Sequence, residues 1–210
     1  MAQFTLLLLI FLISGNLKAQ DERYYRKMLS GGYAKPEKLV DRVPRFFVSG
    51  PAYLVDLNGD GIEERIIPEK RDGVDWLKIE DSSFSTIFET KLFATGSSSH
   101  LYKIKLAILN DKVKVLILFL DEGVTAGAKI ESYGRISLIS FENNNLATMK
   151  FQEGARFYHE MKGQREQYFR RSYSVNIYDI DKDGDREVVV EYQHIQRVFK
   201  YAGFGEWKIF

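Results

Sequence analysis

The sequence predicts an all-β protein of short antiparallel strands, with minor helical segments. From Phe46 onward, short runs of β-branched and aromatic residues are separated by Gly, Asn, Asp and Ser, which favour turns. About ten to twelve strands can be counted in this way. A second indication is a pair of acidic loops, each followed by a strand-like run, which points to an internal repeat.

The N-terminal region has the pattern of a secretory signal peptide, residues 1–19, with cleavage after Ala19. An apolar run, Phe4–Ile13, is interrupted only by Thr5 and is followed by Ser14. Its length of about ten residues is below the roughly twenty that a membrane span needs. No Lys or Arg precedes the run, so an uncleaved anchor is the alternative. We expect a secreted or periplasmic protein that is not an integral membrane protein after cleavage.

The charge balance and the cysteine content limit which partners the protein can bind and which disulfides, metal sites and nucleophiles it can contain. The 210 residues include 30 Lys and Arg and 29 Asp and Glu, and Lys18 is the only charged residue in the predicted signal peptide. The remaining charges therefore balance, which argues against nucleic acid as the main partner. The chain has no cysteine, which excludes disulfides, thiolate metal sites and a cysteine nucleophile. An exported domain of this kind needs another source of stability.

The chain after the signal peptide divides into a polar segment, residues 20–45, and a β-domain, residues 46–210. The polar segment is interrupted by Gly and Pro and predicts a short helix over Glu22–Leu29. Basic and aromatic residues interrupt the β pattern at Ala155–Ser174, and a helix, a long hairpin and a loop are all compatible with this segment. The repeat pattern suggests three degenerate units, of which the middle one is the weakest: 46–99, 100–153 and 172–210.

The acidic loops lie in "VDLNGDGIEERII" and "YDIDKDGDREVVV". Counted from its first aspartate, each loop has side-chain oxygens at positions 1, 3, 5 and 9 and a glycine at position 6. Alternate side chains of a tight loop can face one centre, where the backbone carbonyl of the seventh residue can join them. Calcium takes six to eight such oxygen ligands, whereas magnesium demands stricter geometry. We therefore predict two calcium sites, formed by Asp56, Asn58, Asp60, Ile62 and Glu64 and by Asp179, Asp181, Asp183, Asp185 and Glu187.

Two other interpretations of the loops are less consistent with the residues. An EF-hand needs a glutamate at position 12 and flanking helices, but position 12 is Ile67 or Val190 and both loops run into strand-like sequence. Ordinary Asn-Gly and Asp-Gly turns need the glycine but not acids at several fixed positions. Several carboxylates around one calcium leave little open coordination, so we expect the metal to be structural.

The segments "DLNGDGIEE" and "DIDKDGDRE", each entering a strand, resemble the calcium loops of FG-GAP or VCBS-type repeats, as in the β-propellers of integrin α-subunits. The resemblance implies that each repeat forms one propeller blade and that the ten residues above are the ligands, with Ile62 and Asp185 contributing carbonyls. The Phe-Gly and Gly-Ala-Pro flanks of that family are missing, and the chain is too short for seven blades. A small or partial β-propeller is therefore expected, with a β-sandwich as the alternative.

No catalytic motif is complete. "SSSH" ending at His100 lacks the glycine of a nucleophile elbow, and "HEMKG" from His159 lacks a second zinc ligand. The favoured hypothesis is a calcium-binding module that binds a protein or polysaccharide partner through loops and aromatic side chains. The alternatives are a glycan hydrolase using carboxylates such as Glu122 or Glu160, and a periplasmic inhibitor of a cell-wall hydrolase. Candidate contact residues are Tyr53, Trp76, Tyr102, Tyr133, Phe157, Tyr168 and Trp207.

Overall fold

The structure is a computed structural model that describes residues 45–47, 52–96, 99–126, 129–162, 168–170, 173–192 and 195–210. The described strands, up to Ile209, lie within one compact unit of the chain. The predicted signal peptide, most of the polar segment and the predicted helix over Glu22–Leu29 lie outside the described residues.

The described residues contain fourteen strands and no helix, which confirms the all-β prediction and leaves the minor helical segments without support in this part of the chain. The described residues include no helix that is long and apolar enough to cross a membrane. The strands are β1 Arg45–Phe47, β2 Tyr53–Val55, β3 Glu64–Arg71, β4 Val74–Glu80, β5 Thr86–Lys91, β6 His100–Ile108, β7 Val113–Ala126, β8 Lys129–Glu142, β9 Asn145–Lys162, β10 Tyr168–Arg170, β11 Tyr173–Tyr178, β12 Glu187–Tyr192, β13 Ile195–Gly203 and β14 Glu206–Ile209.

These strands form three antiparallel sheets, each built on a meander of four consecutive strands. One sheet has the order β2-β3-β4-β5, a second has the order β11-β12-β13-β14, and the six-stranded middle sheet adds β1 and β10 to the edges of β6-β7-β8-β9. Each predicted repeat contains one meander, although β9 extends the middle one to Lys162. Within Ala155–Ser174, the described residues belong to strands, and β10 pairs antiparallel with β9 so that Tyr168 lies opposite Lys162.

The middle sheet is buried on both faces, and strand β7 shows how. Leu116, Leu118 and Leu120 belong to a core cluster shared with the β2–β5 sheet. Val115, Ile117 and Phe119 belong to a second cluster shared with the β11–β14 sheet. Because successive side chains of a strand point to opposite faces, a strand buried on both sides needs the uninterrupted apolar run "VLILFL". Such face-to-face packing of meanders is common to propeller blades and β-sandwiches.

Gly96 allows the segment after β5 to lie directly against β7. Its φ is +110°, a Cβ at this position would collide with the carbonyl of Gly123, and the Gly123 amide donates to the Thr95 carbonyl at 3.0 Å. We expect Gly96→Ala to lower the free energy of unfolding by about 2–5 kcal/mol, because backbone strain and overpacking add. Urea denaturation measures this change.

Gly73 provides the matched control for this substitution. Its φ is +78°, but an added Cβ would meet no atom within 4 Å. Gly73→Ala should therefore lose only the strain contribution, about 1–2 kcal/mol. Equal losses in the two variants would show that the close approach to β7 does not contribute to stability.

Candidate metal centre

The two acidic loops occupy equivalent places in the fold. The first acidic loop, residues 56–64, connects β2 to β3, and the second acidic loop, residues 179–187, connects β11 to β12. Each is therefore the connection between the first and second strands of a four-stranded meander. The composition of the sequence predicted that each loop runs into a strand, which β3 and β12 confirm.

The first carboxylate of each loop is bound to the backbone in the same way. Asp56 Oδ2 accepts a hydrogen bond from the Gly61 amide at 2.9 Å, and Asp179 Oδ2 accepts one from the Gly184 amide at 3.2 Å. Both glycines have positive φ, +85° and +94°, which is the conformation that the sharp turn at position 6 requires. Burial raises the pKa of Asp56, but the hydrogen bonds from Gly61 and Gly59 and the charge of Lys114 outweigh it, so the pKa is lowered.

The central side chains of the two loops also share a pattern of Asx turns. In both loops the side-chain oxygen at position 3 accepts from the amide at position 5, and the oxygen at position 5 accepts from the amide at position 7. Such bonds hold the backbone in a tight curve. The residues concerned are Asn58, Asp60 and Ile62 in the first loop and Asp181, Asp183 and Asp185 in the second.

The glutamate at position 9 closes each loop from inside the protein. Glu64 Oε2 accepts from the Leu57 amide at 2.7 Å, and Glu187 Oε2 accepts from the Ile180 amide at 2.9 Å. Both glutamates are buried, Glu187 completely. A buried carboxylate is costly unless a cation or donors compensate it. Ordinary surface turns therefore do not explain why these two glutamates are buried.

Donors are missing on one side of the second loop. Neither Glu187 Oε1 nor Asp179 Oδ1 has a hydrogen-bond donor, although both atoms are buried. One oxygen from each of Asp179, Asp181 and Glu187 lies within 4.8 Å of the others. Oxygens on opposite sides of a calcium ion at 2.3–2.6 Å are about 5 Å apart, so this spacing suits a common calcium ion. The donor set fits the metal that the sequence predicts.

Burial raises the pKa of both closing glutamates. For Glu187 the pKa rises to about 7, first through burial and then through the charges of Asp181 and Asp183, while the Ile180 amide and Lys200 oppose the rise. For Glu64 the pKa is also raised, again chiefly by burial. A raised carboxyl pKa means that the folded, metal-free chain binds a proton more tightly than the unfolded chain.

This shift predicts a pH dependence of stability without metal. Between the ordinary pKa of 4.5 and about 7, the folded chain holds a proton on Glu187 that the unfolded chain releases, so the stability should fall as the pH rises through this window. Melting in chelator at pH 5 and pH 8 measures the effect. Glu187→Gln removes it while keeping an acceptor for the Ile180 amide. If the melting temperatures of the variant and the wild type changed by the same amount between pH 5 and pH 8, the prediction would be contradicted.

Two lysines on distant strands contact the loops, and sequence reasoning missed both. Lys200 of β13 lies 2.5 Å from Asp181 Oδ2 and 2.7 Å from Asp183 Oδ2 in the second loop. Lys114 of β7 donates to the Leu57 carbonyl of the first loop at 2.9 Å. No spacing in the sequence links either lysine to its loop, because strand pairing and sheet packing bring them together.

The connection between β6 and β7 lies against the second loop. Asn110 Nδ2 donates to Asp185 Oδ1 at 2.6 Å, and the Arg186 amide donates to the Leu109 carbonyl at 3.0 Å. This connection is the counterpart of the acidic loops in the middle meander. It lacks their full set of acids and instead supports its neighbour.

Glu122, a carboxylate considered for catalysis, is held by two arginines. Arg135 Nε lies 2.9 Å from Glu122 Oε1, and Arg156 Nε contacts Oε2. The glutamate is buried, so its charge is compensated within the protein rather than presented to a substrate. The side chain of Glu160 lies outside the described residues.

Most aromatic side chains considered for partner binding pack against the cores instead. Tyr53 lies on the first cluster, whereas Tyr102 and Trp207 lie on the second. Trp76 is half-buried under Arg71, and Tyr133 under Arg156. The side chains of Phe157 and Tyr168 are outside the described residues. Among the described phenylalanines that the sequence did not single out, Phe84 and Phe204 are the most exposed, by 67% and 89%.

Fold and site together define an all-β protein with two equivalent acidic loops and a carboxylate cluster of calcium-like spacing. No protein-family model, curated protein or solved structure significantly matches this chain. The resemblance to FG-GAP or VCBS-type repeats depends on the loop residues and their strand context, and it stays a prediction.

Proposed function

We propose that this protein is a secreted or periplasmic calcium-binding β-module, in which two structural calcium ions stabilise the fold for binding a protein or polysaccharide partner. One observation carries the proposal. Two loops in equivalent positions share the same pattern of side-chain-to-backbone hydrogen bonds, and the fully buried glutamate of the second loop has one oxygen without a hydrogen-bond donor. One oxygen of this glutamate and one oxygen of each of two aspartates lie within 4.8 Å of one another.

The chemistry of the donors supports calcium over other metals. The loops offer carboxylate, amide and carbonyl oxygens and contain neither His nor Cys, a set that suits hard cations rather than zinc or copper. Asp179 follows β11 and Glu187 begins β12. A cation held by both would tie neighbouring strands together, which is the role that disulfides serve in other exported domains.

The exposed phenylalanines support a binding role. Phe204 lies on the β13–β14 turn, where its amide donates to Glu142 Oε1 at 2.9 Å and the Tyr201 hydroxyl donates to the same oxygen at 2.6 Å. Phe84 lies on the β4–β5 turn, with the guanidinium of Arg65 4.8 Å from its ring centre. Aromatic rings held on ordered turns lose little conformational entropy on binding.

Metal content and a calcium titration of the purified protein test the proposal. After removal of metal by a chelator and equilibration with calcium, elemental analysis should find two equivalents, and calorimetry should detect both sites. Asp56→Asn with Asp179→Asn should remove them. Asp111→Asn, an exposed position in the β6–β7 connection, makes a similar charge change outside the acidic loops and should retain both. No calcium in the wild type, or unchanged calcium in the double variant, would refute the proposal.

A further inference from the structure

The ammonium group of Lys200 lies among the carboxylates of the second acidic loop. Its Nζ is 2.5 Å from Asp181 Oδ2, 2.7 Å from Asp183 Oδ2 and 3.7 Å from Glu187 Oε1. The lysine is placed there by strand pairing, since it follows Phe199, which pairs with Val188 of β12. Lys200 therefore adjoins Glu187 through the sheet itself and not through a chance surface contact.

The lysine compensates the loop only in part. It hydrogen-bonds Asp181 and Asp183, but the buried Glu187 Oε1 has no hydrogen-bond donor. Asp181 and Glu187 are also two of the three residues whose oxygens lie within 4.8 Å of one another. Within this cluster, Asp181 is therefore hydrogen-bonded to the ammonium group, whereas Glu187 Oε1, at 3.7 Å from it, is not.

Calcium and the lysine compete for the same oxygens. A calcium ion would lie at about 2.3–2.6 Å from its ligands, so an ammonium group that kept its hydrogen bonds would be within a few ångströms of a doubly charged ion. Repulsion at that range is strong where water is partly excluded. The Lys200 side chain is 26% exposed, and its flexible stem lets the ammonium turn outward.

We propose that Lys200 is an internal competitor for calcium: its ammonium group holds the second acidic loop closed without metal, and calcium binds there by displacing it. This inference rests on the proposed function. The first loop provides a contrast, because Lys114 donates to the Leu57 carbonyl, an oxygen outside the predicted ligand set. At the first loop, calcium therefore does not have to replace this hydrogen bond of Lys114.

Calorimetric calcium titration of Lys200→Met in an Asp56→Asn background, where only the second loop is expected to bind, tests the inference. The dissociation constant should fall about tenfold relative to the background, since calcium no longer breaks two partly exposed ion pairs. Lys208→Met is the matched control: Lys208 pairs with Lys200 across β13 and β14 and is exposed. It removes the same charge and should change the constant less than twofold.

Melting temperatures provide a second test. Loss of the Lys200 charge should lower the melting temperature without calcium but increase the rise that calcium causes. Without calcium, Lys200→Met should melt below Lys208→Met, because the carboxylates of the second loop lose their cation. The calcium-dependent rise in melting temperature should instead be larger for Lys200→Met. Lys200→Gln is a second neutral variant, which keeps hydrogen-bond donors but carries no charge. It should also have a lower melting temperature without calcium and a larger calcium-dependent rise, and both effects should be smaller than in Lys200→Met.

The outcomes separate the inference from the proposed function. Equal or weaker calcium binding by both neutral variants, with two equivalents still bound by the wild type, overturns the competitor role and leaves the calcium module intact. The absence of calcium binding in every variant and in the wild type overturns both. Tighter binding by Lys200→Met and Lys208→Met alike would assign the effect to net charge and would also overturn the specific role of Lys200.

Discussion

Asp60→Ala combined with Asp183→Ala should abolish most of a calcium-dependent rise in melting temperature of about 7–14 °C. Extracellular calcium modules have dissociation constants of about 0.1–1 mM. At about 2 mM calcium and a constant near 0.1 mM, each site would stabilise the fold by about 1.8 kcal/mol. Two sites would add about 3.6 kcal/mol, which corresponds to the stated rise for a domain of this size. Thermal melting with calcium and with chelator measures it.

The control for this double variant must separate loss of metal from loss of an Asx turn. Asp60 Oδ1 and Asp183 Oδ1 accept from the Ile62 and Asp185 amides at 2.7 and 2.9 Å, so alanine also removes a local hydrogen bond in each loop. Asp81 Oδ1 accepts from the Ser83 and Ser85 amides at 2.8 and 2.9 Å in a turn outside the acidic loops. Asp81→Ala should lower the melting temperature equally with and without calcium. A full calcium response in the double variant would refute the predicted ligands.

Glu122→Gln should lower the free energy of unfolding by about 3–5 kcal/mol. The substitution removes the charge that compensates Arg135, whose side chain is 13% exposed, and Arg156. Breaking this ion pair from one side leaves Arg135 with only the 40%-exposed Glu153 as a charged partner, and removing one partner of a buried ion pair is the costly case. Urea denaturation measures the loss, and calcium stoichiometry should be unchanged because Glu122 lies outside both acidic loops.

Glu153→Gln is the control, since Glu153 also pairs with Arg135 but its side chain is 40% exposed. This variant should lose at most about 1 kcal/mol, as expected for a solvent-exposed pair. Similar small losses in both variants would show that Glu122 is not retained for stability. Combined with turnover of a glycan by the wild type and none by Glu122→Gln, that result would revive the hydrolase hypothesis.

Sequence patterns predicted the strands and the loops because both are local properties. Runs of β-branched and aromatic residues between turn residues predict strands, and the structure confirms the continuous apolar run of β7 as a strand and shows that it is buried on both faces. Loop spacing at Asp179, Asp181 and Glu187 predicted oxygens that the structure brings within 4.8 Å of one another. In contrast, the sequence left Ala155–Ser174 open between a helix, a long hairpin and a loop, because its basic and aromatic residues lack a clear period. The structure shows β9 and β10 paired there.

The burial of charges could not be predicted, because it depends on which strands pair and which sheets pack together. Glu122 resembles any other acid after a strand in the sequence, and only the meeting of β7, β8 and β9 surrounds it with Arg135 and Arg156. Exposure of Phe84 and Phe204 is equally a property of the completed turns, in which both residues have positive φ.

By itself, the sequence determined the all-β class and the two acidic loops, since hydrophobic period and residue spacing act over a few neighbouring positions. Only the tertiary structure decided the charge balance of the second loop. Lys200 reaches Asp181 and Asp183 because β13 pairs with β12, and Glu187 is completely buried where β12 meets the core. Electrostatic energies depend on distance and on exclusion of water, and both are set by packing between residues that are far apart in the chain.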